Sequence, residues 1–261
     1  MARLMFIGIL LLLPGTLLAQ IRVSKLVIKP NESFDLGKSD ILVADTLIMM
    51  DSSTLILNKM RPENFVRAQV AVFGRNCIID GKGINGKPGR NGLPGNTPIG
   101  PCQDGTPGRN ATKGLDGTPG IDLFLYLEHV TINGALIINL SGGNGGRGGN
   151  GGSGGSGSPG TVHCIGGDGA NGGNAGQGGN GANGGTLTLS SKRHPDIHEW
   201  VGTKIVVRNS GGVAGASGRA GYHGSAGLGP SRKNGKDGLP GIESISGLAG
   251  IKGTINFESN N

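Results

Sequence analysis

Aromatic residues are scarce in this chain, 3% of 261 residues with one Trp and two Tyr. A conventional core of that length would need many more large side chains. Proline is sparse too, at 13 residues, well under the share that a collagen triple helix uses. The chain has only three cysteines, too few for a dense disulfide framework. Charged residues make up 16% and mean hydropathy is −0.11, so the chain also lacks the high-charge signature of disorder. Only one apolar run reaches ten residues, 4–13, between Arg3 and the Pro14-Gly15 break, with Leu17-Leu18-Ala19 before Gln20. It is too short to span a bilayer and reads as a secretory signal peptide over 1–19. The mature chain is therefore expected to be secreted, extracellular or on the cell surface, with no membrane span. The net charge of +7 is spread along the chain without interleaved aromatics. That argues against nucleic acid as a partner and weakly favours a surface glycan or anionic polysaccharide.

Glycine is what the chain has instead, 55 residues and about three times ordinary usage. The glycines are not scattered. Residues 20–80 form an N-terminal β segment with short β-branched or leucine-rich stretches at 25–28, 41–43, 46–49, 54–57 and 66–73. Over 81–261 the glycines fall every third residue in six runs: 83–95, 105–120, 142–157, 166–184, 212–227 and 235–253. Ala111, Ala175 and Ser244 fill missing positions. Between the runs lie candidate strands at 122–140, 186–190, 203–209 and 254–258. A period of three is the turn of a polyproline-II helix, which has no internal hydrogen bonds and must find partners for its backbone. The expected fold is therefore mainly β plus polyproline-II. Six antiparallel polyproline-II (polyglycine-II) helices in three hairpins would stand on a small β-solenoid or β-sandwich base. Runs three and four carry two small rows and one polar row, which places the second hairpin centrally.

Double-glycine stretches such as GGNGGRGGNGG at 142–152 make 83–253 resemble the polyglycine-II bundle proteins, both the springtail antifreeze type and the tail-tip adhesins of certain phages. The chain is also similar to secreted bacterial proteins loosely called collagen-like. The resemblance implies a stacked glycine-rich bundle and, in the adhesin type, recognition by loops at the end of the stack.

No catalytic, metal or cofactor constellation stands out. GxGxxG recurs by composition alone. His194 and His198 lie four apart near Asp196 and Glu199, but Pro195 interrupts them. The Cys77-to-Gly83 stretch looks like a rung edge of polysaccharide-cleaving β-helices, without a visible pair of carboxylates. The leading expectation is a non-enzymatic structural or adhesive protein. An ice-binding protein is the alternative, although Lys87, Arg90, Arg109, Lys113 and Arg219 interrupt the flat uncharged face it would need. A β-helix polysaccharide-active enzyme is the minor one.

Non-repetitive residues gather between paired runs, at 96–104, 159–165 and 228–234. Loops on a rigid scaffold are where binding residues concentrate. The candidates are Thr97, Ile99, Gln103 and Asp104; Thr161, Val162 and His163; and Ser231, Arg232, Lys233 and Asn234. Arg232 and Lys233 suit an anionic glycan. Cys102 and Cys164 both fall in these tips, so they are expected to pair and to leave Cys77 over. Along the sixth run, Leu239, Ile242, Ile245, Leu248 and Ile251 recur every three residues. The row is either buried against the fifth run or the base, or is an exposed stripe for another protein or a second copy.

Overall fold

The computed structural model describes residues 20–258; the expected signal peptide lies outside the described residues. The chain winds as a parallel solenoid of two sheets. One sheet has the order β1 (Gln20–Ile28), β3 (Ile41–Met49), β5 (Glu63–Phe73), β7 (Asp122–Ile132), β9 (Leu187–Ser191) and β11 (Ile255–Phe257). The other has β2 (Ser33–Asp35), β4 (Thr54–Ile56), β6 (Cys77–Asp80), β8 (Leu136–Asn139) and β10 (Ile205–Arg208). Every pairing between named strands is parallel.

Alternation in the strands makes the core. In β5, Val66, Ala68, Ala71 and Phe73 are buried. The register sets Leu42, Val66, Leu125 and Leu189 in one inward column. Leu55, Ile79 and Ile138 of the second sheet close the same cluster from the other side. Aliphatic residues at one height on successive coils stack on one another, so few aromatics are needed. On the tight-turn side, Asn31, Ser52 and Asn76 take left-handed φ of 62°, 58° and 54°. The turns stack as well: Asn31 N donates to Asp51 O and Ser52 N to Arg75 O.

On the opposite side the connections differ in length. β2–β3 and β4–β5 are joined by a few residues. The connections β6–β7, β8–β9 and β10–β11 are long excursions, and each holds two glycine runs. The runs are the legs of the solenoid's own coils, and they stack as the strands do. Gly86, Gly89 and Gly92 of run 1 donate to Asn144, Arg147 and Asn150 of run 3, in parallel. Runs 3 and 5 pair in the same way, as do runs 2 and 4 and runs 4 and 6. Bonds between the two layers link the legs, for example Arg109 N to Leu93 O and Gly173 N to Gly152 O.

This overturns the expected fold class. The β part is not a small base beneath three antiparallel hairpins. It is two parallel sheets running the length of the described chain, and each glycine excursion is a widened coil laid parallel on the one before. The physical reason is translation: parallel strands joined by equivalent connections carry those connections forward in register, so a bond pattern set in the sheet is repeated in the legs.

Glycine is required here for approach, not for φ. Among the described glycines only Gly37 and Gly202 have left-handed φ, and neither lies in a run. A Cβ added to Gly152 would overlap Leu93 O, and one added to Gly149 would overlap Arg90 O.

Side chains add a second, directional ladder. Asn85 and Asn91 accept the backbone N–H of Asn144 and Asn150 at 2.9 and 2.8 Å. Asn144 and Asn150 then accept from Val213 and Arg219. In the other layer Asp104, Asn110 and Asp116 accept from Asp168, Asn174 and Asn180. Asn171, Asn174 and Asn180 accept in turn from Leu239, Ile242 and Leu248. In each of these rungs an earlier coil accepts from the later one. The first excursion has no widened coil before it to accept its corresponding N–H groups, and Pro88, Pro94, Pro107 and Pro119, which lack an N–H, hold four of those positions.

Candidate binding surface at the tips

The three tips lie side by side. Cys102 N donates to Pro159 O at 2.9 Å, Ser158 Oγ to Pro98 O at 2.9 Å, and Gly160 N to Leu228 O at 2.8 Å. The Cys102–Cys164 disulfide, with Cα atoms 6.0 Å apart, ties the first tip to the second. Cys77 is free and buried in the sheets, as expected from the spacing. Burial pushes its thiol pKa up.

The candidate residues divide into two groups. Several are used by the fold itself. Thr97 Oγ1 accepts Ser156 N at 3.0 Å, and Asp104 Oδ1 accepts Asp168 N at 2.7 Å. Thr161 Oγ1 lies 3.2 Å from Cys164 Sγ and accepts His163 N at 3.3 Å. Asn234 Oδ1 accepts Gly229 N at 2.9 Å, closing the third tip around the short 3-10 turn Pro230–Arg232. Gln103 accepts Ser158 N through its carbonyl, leaving its exposed side chain outside. The second group is uncommitted: among the described residues, the exposed side chains of His163, Arg232 and Lys233 enter no hydrogen bond or ion pair. Ser231 and Arg232 sit at left-handed φ of 55° and 61° in this tip.

The tips are also apolar. Ile99 is 103% exposed, Val162 82%, Leu228 72% and Ile165 56%. Ile165 and Leu228 were not singled out by the spacing argument. Their signal was available: each is a large aliphatic residue beside the end of a glycine run, where the triplet phase no longer dictates its neighbours.

Other concave regions are shallower in chemistry. A cleft of about 450 Å³ lies where the short β4–β5 loop meets run 2, lined by Lys59, Arg61, Thr118, Ile121 and Asp122 among others. Lys59 there is paired with Asp80 at 2.8 Å. On the outer sheet face Phe65 and Phe124 stack at 4.6 Å, beside Arg67 and Tyr126. Tyr126 OH donates to Glu258 at 3.1 Å, and burial followed by that carboxylate raises the phenol's pKa. No helix among the described residues is long and apolar enough to cross a membrane. No group of three or more His, Cys, Asp or Glu among them could hold a metal ion. Comparison with protein-family models, with curated proteins and with solved structures finds no match to this chain.

Proposed function

We propose that the protein is a non-enzymatic structural or adhesive protein, exported to an oxidising space, that binds a surface glycan or anionic polysaccharide through its joined tips. The observation that carries this reading is the tip itself. Three loops are held side by side by backbone bonds and a disulfide, yet they expose aliphatic side chains and an uncommitted His163, Arg232 and Lys233. Turns selected only for solubility would not gather Ile99, Val162 and Leu228 at one end. A rigid apolar patch with cations beside it suits the ring faces and acidic groups of a sugar polymer. The disulfide fits an oxidising compartment.

The test is binding to an array of neutral and acidic glycans. An Arg232→Ala/Lys233→Ala variant is expected to lose acidic ligands and most of the salt dependence. An Ile99→Ser/Val162→Ser variant is expected to weaken neutral and acidic ligands alike. Retained binding after all three tips are exchanged for Gly-Ser turns, in a protein with an unchanged melting curve, overturns the reading.

A further inference from the structure

Among the described residues, run 6 (235–253) is the last leg of its layer. Its backbone is set on run 4 by the ladder: Leu239 N bonds Asn171 Oδ1, Ile242 N bonds Asn174, Leu248 N bonds Asn180 and Ile251 N bonds Asn183, at 2.7–2.9 Å. The row that reads Asn171, Asn174, Gln177, Asn180, Asn183 in one coil therefore reads Leu239, Ile242, Ile245, Leu248, Ile251 in the next. Among the described residues no backbone N–H donates to this row's side chains, so any soluble residue would serve there. The residues present are five branched aliphatics, 68–75% exposed. The expectation of burial against the fifth run or the base is not met. They form a straight stripe of roughly 37 Å at 3.1 Å per residue, large enough to mark an interaction site.

We propose that this stripe is a two-fold interface between two copies of the chain, with their sixth runs antiparallel and crossing at Ile245. The charges beside the stripe commit it to a second copy and to that direction. Asp237 and Lys252 are exposed in the neighbouring row, one near each end of the run. Antiparallel pairing about Ile245 sets Asp237 of one copy near Lys252 of the other, twice, with Pro240 facing Ala249 and Glu243 facing Ser246. Parallel pairing would put the two neighbouring rows on opposite flanks of the seam, where neither Asp237 nor Lys252 meets an opposite charge. Head-to-tail stacking is disfavoured at both ends. The first excursion offers prolines, and N–H groups of Ile84, Arg90 and Asn96 that are already bonded to Thr118, Thr112 and Thr106. The last offers no carboxamide row, and its Ala220 and Ala226 N–H groups are bonded to Glu243 and Asp237. The two-fold directs the tips of the two copies to opposite ends of the joined arrays. If the tips bind glycan as proposed above, the dimer bridges two surfaces, but the interface itself does not depend on that reading.

Sedimentation of the purified protein at micromolar concentration should give a two-chain mass. Ile245→Asp should raise the dimer Kd by about 30-fold or more without changing glycan binding by a single copy. Cysteine placement tests the geometry independently of stability. Ile245→Cys lies on the two-fold and should cross-link to itself on mild oxidation. Leu239→Cys alone should not, but should link when mixed with Ile251→Cys. A monomer across the whole concentration range, or self-linking of Leu239→Cys as efficient as that of Ile245→Cys, overturns the proposal.

Discussion

Gly152→Ala tests whether the legs are in backbone contact. Gly152 is buried, donates its N–H to Arg109 O at 2.9 Å and accepts Gly173 N at 2.7 Å. An added methyl overlaps Leu93 O of run 1, and a methyl added to Gly108 or Gly221 would overlap Gly152 O. Four neighbouring runs thus converge on one residue, and the obstructing atoms are backbone that cannot rotate away. Overpacking of this kind costs about 1–3 kcal/mol. A displaced leg also strands at least one buried N–H or C=O, costing about 1–3 kcal/mol more. The unfolded chain, stiffened by Ala, returns about 0.4–1 kcal/mol. The net loss should be about 3 kcal/mol, a large part of the 5–15 kcal/mol typical of a domain. Ser153→Ala, one residue on and exposed, should change stability by less than about 0.5 kcal/mol. Equilibrium urea unfolding followed by circular dichroism measures both. If Gly152→Ala costs no more than Ser153→Ala, the legs are not packed at backbone distance and the reasoning fails.

Breaking the tip disulfide with a Cys102→Ser/Cys164→Ser variant should cost about 4 kcal/mol in the chain-entropy account for residues 62 apart, read from the same unfolding curves. Asn174→Ala removes the acceptor for Ile242 N and should cost about 1 kcal/mol, while Asn174→Asp at neutral pH should restore most of it. Asp116 holds its carboxyl below the ordinary value of 3.8, chiefly because Asn180 N–H donates to it and then because of Lys113. A lowered folded-state pKa contributes stability that is present above the ordinary value and is lost as pH falls below it. Melting temperature should therefore drop in that acid window, and Asp116→Asn should lessen the drop by keeping the acceptor without the titration. The buried Cys77 thiol should resist alkylation in the folded protein and react on unfolding, as peptide mapping would show.

The glycine triplets, the two-cysteine tip and the leftover Cys77 were legible because each depends on local spacing. The parallel sheets were not. β7 and β9 pair from Leu123 to Leu187, across an excursion of glycine that carries no strand signal. Each pair of runs, viewed alone, looks like a hairpin, and only the register of β6 on β8 shows that successive excursions are translated copies. The collagen-like look of the first two runs has a similar origin. Pro88, Pro94, Pro107 and Pro119 mark an uncovered edge, where a missing N–H is an advantage rather than a loss. The Leu239-to-Ile251 row was visible as a pattern, but its exposure depends on how the legs stack, which spacing does not reveal.

The one-way carboxamide ladder also has a kinetic meaning. In the legs a finished coil presents side-chain acceptors to the segment that follows it in the chain, while a later coil offers an earlier one backbone carbonyls alone. Ordering should therefore spread from the N-terminal strands toward the C-terminus, each leg laid on a surface that already exists, like a crystal face adding rows. Stability then accumulates by nearest-neighbour contacts, as in other repeat architectures. A duplicate of the 140–186 excursion together with its flanking strands could be inserted without redesigning either end, because its Asn rows both receive and offer the same bonds.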